Sequence, residues 1–387
     1  YEEITRYIFP RRDTWGRDDG QATNKDSSIY DGTPIGALNL LANGLVGYLV
    51  SPSYPCVKLK LPFEGVSEIP GASQWLEQVE RVLYDNFHQS NFYEEIVEVF
   101  KDGGATGLGT VFQDENPAER TPVFHSVHNK QVYIAEDTNG KIDTTFREFP
   151  ATARSLVDRF GEEAVSESTQ KLSKDQPYER VTVVHATFPR TDRDVSKIDN
   201  RNKPIASVWF EPDAGHVIKE SGLDEQRYHH LRWSTNSDEV YPRGPGYDAL
   251  VDAKKSNAIS KSLLKAAELS VNPPVNAPND MLRRIRLSPG AKNPISPTGQ
   301  GVTPIQLVNG YPLGQDREAS LQNIIEQHFM VDFFLMLQRA PEGLDEAAKV
   351  FAHVLSARFG QIVGRLLHSA HVPFTALEIN PVQVDFV

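Results

Sequence analysis

Four glycines stand within seven positions of the stretch FKDGGATGLGTVF, residues 100–112, and such a loop could cradle a phosphate. A P-loop requires a lysine after its last glycine and a helix that begins there, so that backbone amides meet the phosphate. No lysine follows Gly107 or Gly109, and the predicted order is a helix ending at Asp102, the glycines, and a strand from Thr110. The carboxyl end of a helix repels anions. The loop is therefore predicted to cap a helix and reverse the chain.

Other residue types that carry chemistry form no recognisable catalytic or metal-binding pattern. His229 and His230 are adjacent and should point to opposite sides of a strand, while His368 and His371 lack the nearby carboxylate of an H-E-x-x-H motif. The single cysteine, Cys56, excludes an internal disulfide and a cysteine-rich zinc site. The sequence has no G-x-S-x-G elbow and no isolated carboxylate pair. We expect no catalytic residues, no metal and no cofactor.

A lysine stripe follows one face of a long predicted helix. Lys254, Lys261 and Lys265 are spaced i, i+7 and i+11, which places them within a narrow wedge at about 100° per residue. Lys255 lies one step round the helix. Such a stripe could contact the phosphates of a DNA duplex without reading its sequence. The alternative is an ordinary solvated helix face.

A second basic cluster lies in a proline-rich segment. Eight prolines fall between residues 272 and 315, which argues against a helix or an ordinary core. The cluster comprises Arg283, Arg284, Arg286 and Lys292. It could meet an acidic partner surface, and the alternative is an exposed loop.

Residues 1–241 are predicted to form one α+β unit. A short helix halted by Pro10 precedes a longer one with Asp31 as a possible N-cap. The stretch SQWLEQVERVLYDNFHQSNFYEEIVEVFKDGG reads as two helices joined near HQSN. Several strands then follow, including a hairpin with Asn139-Gly140 at its tip. The buried faces of the two joined helices are predicted to carry Trp75, Val79, Val82 and Leu83 on the first, and Ile96, Val99 and Phe100 on the second.

The pattern changes from Gly244 onward. One long helix is predicted over 246–271, the proline-rich segment over 272–312, and a second long helix over 313–337. A ladder on one face of the second helix comprises Leu321, Ile324, Ile325, His328, Phe329, Asp332 and Met336. A third helix is predicted over LDEAAKVFAHVLSARFGQIVGRLLHSA, residues 344–370.

The composition bounds the class of protein. A chain of 387 residues, 39% of them hydrophobic, is long enough for more than one core. Its net charge of −12 argues against a surface built throughout to grip nucleic acid, although local basic stripes remain compatible with it. No apolar run approaches the length a bilayer requires, so we expect no membrane partner. The chain begins without Met, and we expect native residues to be missing at both ends.

In combination, five segments resemble the head-to-tail connecting (portal) proteins of podovirus-like bacteriophages. The resemblance follows the family order over most of the sequence. The segments are YIFPRR, IYDGTPIGALNLLANGLVGYLVSPS, WLEQVERVLYDNFHQSNFYEEIVEVFKDGGATGLGTVF, TARSLVDRFG and RGPGYDALVDAKKSNAISKSLLKAAELSVNPPV. The family usually carries a Thr-Ala-Thr-Glu-Val-like helix start in its C-terminal third, and this chain has none around LQRAPEGLDEAAKVF.

The resemblance implies an α+β portal fold that assembles as a ring, usually of twelve copies. Residues 1–245 would form the wing domain, 246–271 the first stem helix, 272–312 the clip and 313–337 the second, antiparallel stem helix. Residues 338–387 would supply a channel loop, an inner helix on the crown side and a terminal strand, with the C-terminal crown or barrel missing.

The same resemblance implies a non-enzymatic conduit at one vertex of the virion capsid, assembled in the host cytoplasm. Double-stranded DNA would pass through the channel during packaging and ejection. Expected partners are the terminase large subunit, tail adaptor or head-completion proteins, and the major capsid and scaffolding proteins. The four lysines of the long helix would contact DNA, and the basic cluster of the clip would dock the terminase or adaptor.

Two alternatives remain open at this point. A non-portal structural or adaptor protein of the virion would leave the lysine stripe merely solvated, and it need not form a ring with an open axial channel. A soluble hydrolase would turn over a nucleotide or an ester by itself.

Overall fold

A computed structural model gives the fold. It describes residues 1–12, 28–53, 58–59, 72–116, 121–194, 196–197, 199–271, 273–276, 303–304, 311–339 and 377–378. The helices are α1 (Glu2–Tyr7), α2 (Thr33–Leu49), α3 (Ala72–Gln89), α4 (Phe92–Thr106), α5 (Ala153–Phe160), α6 (Glu167–Asp175), α7 (Pro245–Val271), α8 (Tyr311–His328) and α9 (Val331–Arg339). The strands are β1 (Lys58–Leu59), β2 (Leu108–Asn116), β3 (Thr121–Val127), β4 (Val132–Glu136), β5 (Ile142–Thr152), β6 (Arg180–Pro189), β7 (Ile205–Glu211), β8 (His216–Leu223), β9 (Tyr228–Arg232), β10 (Val275–Asn276), β11 (Thr303–Pro304) and β12 (Leu377–Glu378).

Two antiparallel sheets hold most of the strands. One has the order β3-β2-β9 and the other the order β4-β5-β6-β7-β8, while β1 pairs with β12 and β10 with β11. The predicted hairpin tip is confirmed, since Gly140 in the turn between β4 and β5 has a φ of 73°. The mixed helix and sheet class is therefore confirmed, whereas the stem, clip and ring remain predictions.

One apolar core joins helices from both sides of residue 245. It contains Ile4 of α1, Leu41 of α2, Val99 of α4, Ala249 of α7 and Ile325 of α8, each at most 1% exposed. The helices before the sheets and the long helices after them thus share one core. The boundary expected at residue 245 remains a prediction, but this core spans it.

The sheets have cores of their own. The first lies between the two sheets, where Phe112 of β2 packs with Ile134 of β4 and Tyr228 of β9. The second lies where α5 covers the five-stranded sheet, with Leu156 packed near Val183 and Trp209. Side chains alternate across a strand, so every second residue of β5, β6 and β7 faces this covered side. Across these strands Arg147 pairs with His185, and His185 with Trp209.

The glycine-rich loop differs from its prediction in extent. Helix α4 does not end at Asp102 but continues through Gly103 and Gly104 to Thr106. A Cβ on Gly103 would meet Leu231 at 2.9 Å, and one on Gly104 would meet Leu38 at 2.9 Å. Close tertiary packing therefore outweighs the poor intrinsic helix propensity of glycine. Gly107, with a φ of 95°, ends the helix in the left-handed conformation, which confirms the predicted C-cap.

The predicted buried face of α3 is partly wrong. Trp75 and Val82 are 50% and 60% exposed, whereas Leu83 is buried together with Leu76 and Phe87. The apolar positions 76, 83 and 87 share one face at helical spacing, and α4 covers that face. The face predicted for α4 is confirmed, since Ile96, Val99 and Phe100 are all buried in the core.

The second long helix is interrupted. The single helix predicted over 313–337 is instead α8 and α9, separated where Met330 adopts a φ of 57°. In an unbroken helix Phe329 and Phe334 would lie about 140° apart and could not face one core together. The break buries both, at 0% and 2% exposure. Of the predicted ladder, Leu321, Ile325 and Phe329 are buried.

The third helix predicted over residues 344–370 lies outside the described residues, as does most of the proline-rich segment. Within the described ranges, no helix combines the length and the apolar character that crossing a bilayer would require.

Candidate functional site: the long helix and its lysines

The start of α7 is seated on the glycine-rich loop. A Cβ on Gly246 would lie 2.3 Å from the backbone oxygen of Ala105, so only glycine allows α7 to approach the end of α4 this closely. The amide of Gly107 donates to the Gly103 oxygen at 2.9 Å, and the Gly107 oxygen accepts from the amide of Trp233 at 2.9 Å. These glycines therefore allow close packing. The Gly107 amide, which a bound phosphate would need as a hydrogen-bond donor, already donates to the Gly103 oxygen.

Small side chains allow α8 to pack closely on α7. The buried face of α7 carries Ala249, Ala253, Ser256 and Ser260. Contacts between the two helices run in opposite order along the chain. Ser260 bonds Glu318, whereas eight residues earlier Asp252 lies 3.8 Å from His328, so α7 and α8 are antiparallel.

A buried carboxylate fixes the start of α2 against this helix pair. Asp31, 6% exposed, accepts from the Ser256 hydroxyl at 2.5 Å and from Gln322 of α8 at 3.4 Å. It also accepts from the amide and the hydroxyl of Thr33, at 2.9 and 2.7 Å. The N-cap of α2 is Gly32 rather than Asp31, so the predicted cap lies one residue too early. Ser256 as the partner of Asp31 was not predicted from the sequence, because the two residues are far apart in the chain.

The four lysines lie on α7 in different environments. Lys254 pairs with Glu3 of α1 at 2.7 Å, and Lys255 pairs with Asp252 at 3.0 Å. Lys261 places its ammonium 5.2 Å from the ring centre of Tyr30. Lys265 is exposed. The structure thus brings the stripe onto one face, and α1 covers its first position.

An anchor near residue 12 holds α1 in that place. Arg12 lies 3.0 Å from Asp102, and the backbone oxygen of Arg12 accepts from the His128 ring at 2.7 Å. Burial raises the pKa of Asp102 to about 7, against the opposing effect of Arg12. Burial also lowers the pKa of His128 to about 4, so that this imidazole is neutral at pH 7. The Lys254 ammonium in turn lowers the pKa of Glu3 through their hydrogen bond.

Exposed apolar side chains flank the lysines on both sides. At about 100° per residue, Val251 and Leu269 lie about 60° from the wedge of Lys254, Lys261 and Lys265 in one direction, with Lys255 beyond them, and Leu264 lies about 80° away in the other. They are 57%, 41% and 50% exposed. The buried side of α7 lies behind, so the lysine face points away from the core of the chain.

The basic cluster of Arg283, Arg284, Arg286 and Lys292 lies outside the described residues. The ends of its segment are described, and they meet. Val275 pairs with Pro304, and Asn276 with Thr303, in a short antiparallel ladder. The segment between β10 and β11 therefore begins and ends at the same place in the fold.

The adjacent histidines serve the fold. His230 bridges the hydroxyls of Thr110 and Thr145, at 3.0 and 2.9 Å, and His229 faces Gln113 at 3.3 Å. Among the residues that the structure describes, no group of three or more His, Cys, Asp or Glu side chains could hold a metal ion.

Comparison with known proteins identifies close relatives. The family model of the bacteriophage head to tail connecting protein matches residues 1–346. The portal protein of Salmonella phage epsilon15 is 31% identical over 349 residues, which cover 87% of this chain and 62% of that protein. The probable portal protein of Bordetella phage BPP-1 is 31% identical over 283 residues, which cover 72% of this chain and 51% of that protein. The chain thus spans little more than half the length of these relatives.

Solved structures give more distant likenesses. A chain from the virion of a native gene transfer agent particle has a TM-score of 0.41 at 13% identity, covering 99% of this chain and 90% of that chain. A chain from the neck of an empty particle of this kind has a TM-score of 0.42 at 12% identity, with coverage of 96% and 88%. The assignment rests on the sequence matches, which confirm the resemblance found in the motifs. This chain belongs to the bacteriophage head to tail connecting protein family.

Proposed function

We propose that this chain is a portal protein, a non-enzymatic connector that forms a ring at one vertex of the phage capsid and conducts double-stranded DNA. Family membership supports this role, and the curated relatives are named as portal proteins. The observation that carries the proposal is the surface of α7, where Lys254, Lys261 and Lys265, with one acidic residue, Glu268, lie between two exposed apolar edges.

That surface suits a helix placed around a channel. In a ring, each copy of α7 contacts a neighbouring copy on either side, and the surface between these two contacts faces the channel. The apolar edges, with Val251 and Leu269 on one side and Leu264 on the other, would be covered by the neighbouring copies. The lysines between these edges would then face the channel. In this arrangement α7 and α8 are the two stem helices, and α8 together with the sheets lies away from the axis.

The charge of the channel must allow DNA to slide. Each phosphate that a protein neutralises adds affinity through counterion release, so many tight contacts would stall the duplex. The net charge of −12 and the few lysines of α7 suit weak contacts that are blind to sequence. Lys261 and Lys265 are the stronger candidates, because Lys254 and Lys255 already pair with Glu3 and Asp252.

We also propose that the segment between β10 and β11 is the clip. Because its two ends are paired, it is tethered at one place, at the end of α7 and before α8. Arg283, Arg284, Arg286 and Lys292 would meet an acidic surface of the terminase large subunit during packaging and of a tail adaptor afterwards. If charge reversal at these four positions left docking intact in a pull-down, this part of the proposal would be withdrawn. Contacts with the capsid and scaffolding proteins complete the proposed set of partners.

Oligomeric state tests the ring directly. The purified chain should sediment as a large oligomer, and negative-stain images should show rings of about twelve copies with a central hole. A monomer, or an oligomer without an axial opening, would favour an adaptor protein of the virion. The exposed residues Val251 and Leu269 provide the variant, since Val251→Glu with Leu269→Glu should prevent ring formation. The matched control is Val217→Glu, on an exposed residue of β8 in the five-stranded sheet.

The DNA contacts are tested separately by packaging. Lys261→Ala with Lys265→Ala should change the rate or the salt dependence of packaging, while leaving the rings intact. Lys171→Ala, which removes an exposed lysine from α6, should change neither. Packaging that is unchanged in the double variant would dispose of the lysine contacts but not of the ring.

A further inference from the structure

Two arginines converge on a single carboxylate at the junction of the two sheets and α5, and a third arginine lies nearby. Arg159 of α5 donates to one oxygen of Asp114 at 2.8 Å, and Arg227 donates to the other oxygen at 3.0 Å. Arg147 of β5 lies close enough for its charge to act on that of Arg159, while its own N–H groups bond Gln131, at 3.3 Å, and Tyr228. Two guanidinium groups thus hold a single carboxylate, with a third positive side chain nearby.

Aromatic rings hold two of these guanidinium groups in place. Arg147 lies 4.4 Å from the ring centre of Phe149, and Arg159 lies 4.8 Å from that of Trp209. Phe149 and Trp209 are themselves in edge-to-face contact, with ring centres 6.2 Å apart. A guanidinium stacked on a ring keeps its plane fixed while its N–H groups stay available for hydrogen bonds, which Arg159 makes with Asp114.

The positive charges act on one another across this junction. His185, stacked on Trp209 at 3.9 Å, has its pKa lowered to about 3 by burial and then by the charges of Arg159, Arg147 and Arg227. Burial lowers the pKa of Arg147, and the charge of Arg159 adds to that effect. The side chains of Arg159 and Arg227 remain 49% and 38% exposed, so solvent reaches them. The electrostatic potential at this junction is therefore positive, and solvent reaches the junction on one side.

We propose that this junction, which we name the arginine junction (Arg147, Arg159 and Arg227), binds a phosphate-type oxyanion. Asp114 uses both of its oxygens to hold Arg159 and Arg227, whose side chains remain 49% and 38% exposed. A guanidinium has five N–H donors, so each of these arginines keeps donors for an oxyanion beside its bond to Asp114. The inference does not depend on the proposed portal function, because the site lies on the sheets and α5 rather than on α7.

Phosphate binding to the purified chain tests this site. Isothermal titration with inorganic phosphate, against sodium chloride of equal ionic strength, should give a saturable signal of one site per chain. Arg159→Gln and Arg227→Gln should each weaken the affinity about tenfold, because each removes one charged donor. Arg154→Gln is the matched control on the same helix, since Arg154 pairs with Asp158 and is 61% exposed. It should leave the affinity unchanged.

A second experiment distinguishes a free phosphate ion from the phosphodiester backbone of DNA as the bound group. A short DNA duplex, added at the same phosphate concentration, should compete with inorganic phosphate if the source is a phosphodiester, and should not compete if the source is a free anion. Arg159→Lys keeps the positive charge but loses the planar guanidinium, so it should bind phosphate with an affinity between those of the unchanged chain and Arg159→Gln. It takes the place of Arg159→Gln in the test if that variant does not fold. The absence of a saturable signal, or an equal loss of affinity in Arg154→Gln, would overturn the proposal.

Discussion

Replacing Gly246 with alanine tests whether the glycine-rich loop positions α7. A Cβ there would meet the oxygen, Cα and carbonyl carbon of Ala105 at 2.3, 2.9 and 3.0 Å. All three atoms are backbone, in the last turn of α4, so no side chain can rotate away. Reaching the 3.4 Å of an ordinary contact requires α7 to shift by about 1 Å from α4.

The magnitude follows from two opposing effects. Overpacking of a well-packed site typically costs about 1–3 kcal/mol. Alanine is favoured over glycine in a helix by about 0.5–1 kcal/mol, and this gain is smaller at the second residue of α7. We therefore expect Gly246→Ala to lower the free energy of unfolding by about 1–2 kcal/mol.

Urea-induced unfolding, followed by circular dichroism, measures this difference. Gly36→Ala is the matched control, since Gly36 lies within α2 and a Cβ there meets nothing within 4 Å. It should raise the free energy of unfolding by about 0.5–1 kcal/mol. If the two alanine variants were equally stable, the close approach of α7 to α4 would not be needed for the fold, and the reasoning would fail.

Three further outcomes are expected. Ser256→Ala, which removes a donor from the buried Asp31 carboxylate, should cost about 1–3 kcal/mol in urea unfolding, whereas Ser262→Ala on the exposed side of α7 should cost little. The free energy of unfolding should decrease as the pH falls below 6.5, because His185 takes up a proton in the unfolded chain but, with a folded pKa of about 3, stays neutral in the folded state. His185→Gln should reduce the slope of that decrease by up to about 1.4 kcal/mol per pH unit between pH 6 and 4. Glu3→Gln should leave Lys254 without its ion pair, so the deprotonated Lys254 amine, no longer held against α1, should be acylated faster at a fixed pH, and an unchanged rate would count against the α1 contact.

Local periodicity predicted most of the elements that position the site. The helix α7, observed as Pro245–Val271, was expected over 246–271, because turn residues and prolines bound it on both sides. The hairpin tip at Gly140 was equally visible, since Asn-Gly is a strong turn signal. Such features depend on residues close together in the chain.

What the sequence did not show depends on distant contacts. Helix α4 extends past Asp102 because Leu231 and Leu38 pack against its glycines, and neither leucine is near them in the chain. The break before α9 follows from the need to bury Phe329 and Phe334 in one core. The ion pair of Lys254 with Glu3 likewise joins two residues far apart in the chain, so the predicted lysine stripe is paired at its first position.

The arginine junction illustrates the same limit for a binding site. Arg147, Arg159 and Arg227 come from β5, α5 and the residue before β9, and no spacing in the sequence links them. The pairing of β2 with β9 brings Arg227 beside Asp114, and the packing of α5 on the five-stranded sheet places Arg159 over Trp209.

The position of α7 in the assembled particle decides whether this helix lines a channel. A cryo-electron microscopy reconstruction of the purified oligomer resolves helices and shows which face of α7 points toward the symmetry axis. We predict a closed ring in which Lys261 and Lys265 face the opening while Val251 and Leu264 contact neighbouring copies on opposite sides. A ring with α7 on its outer rim, or a compact monomer with those apolar edges in solvent, would contradict the account.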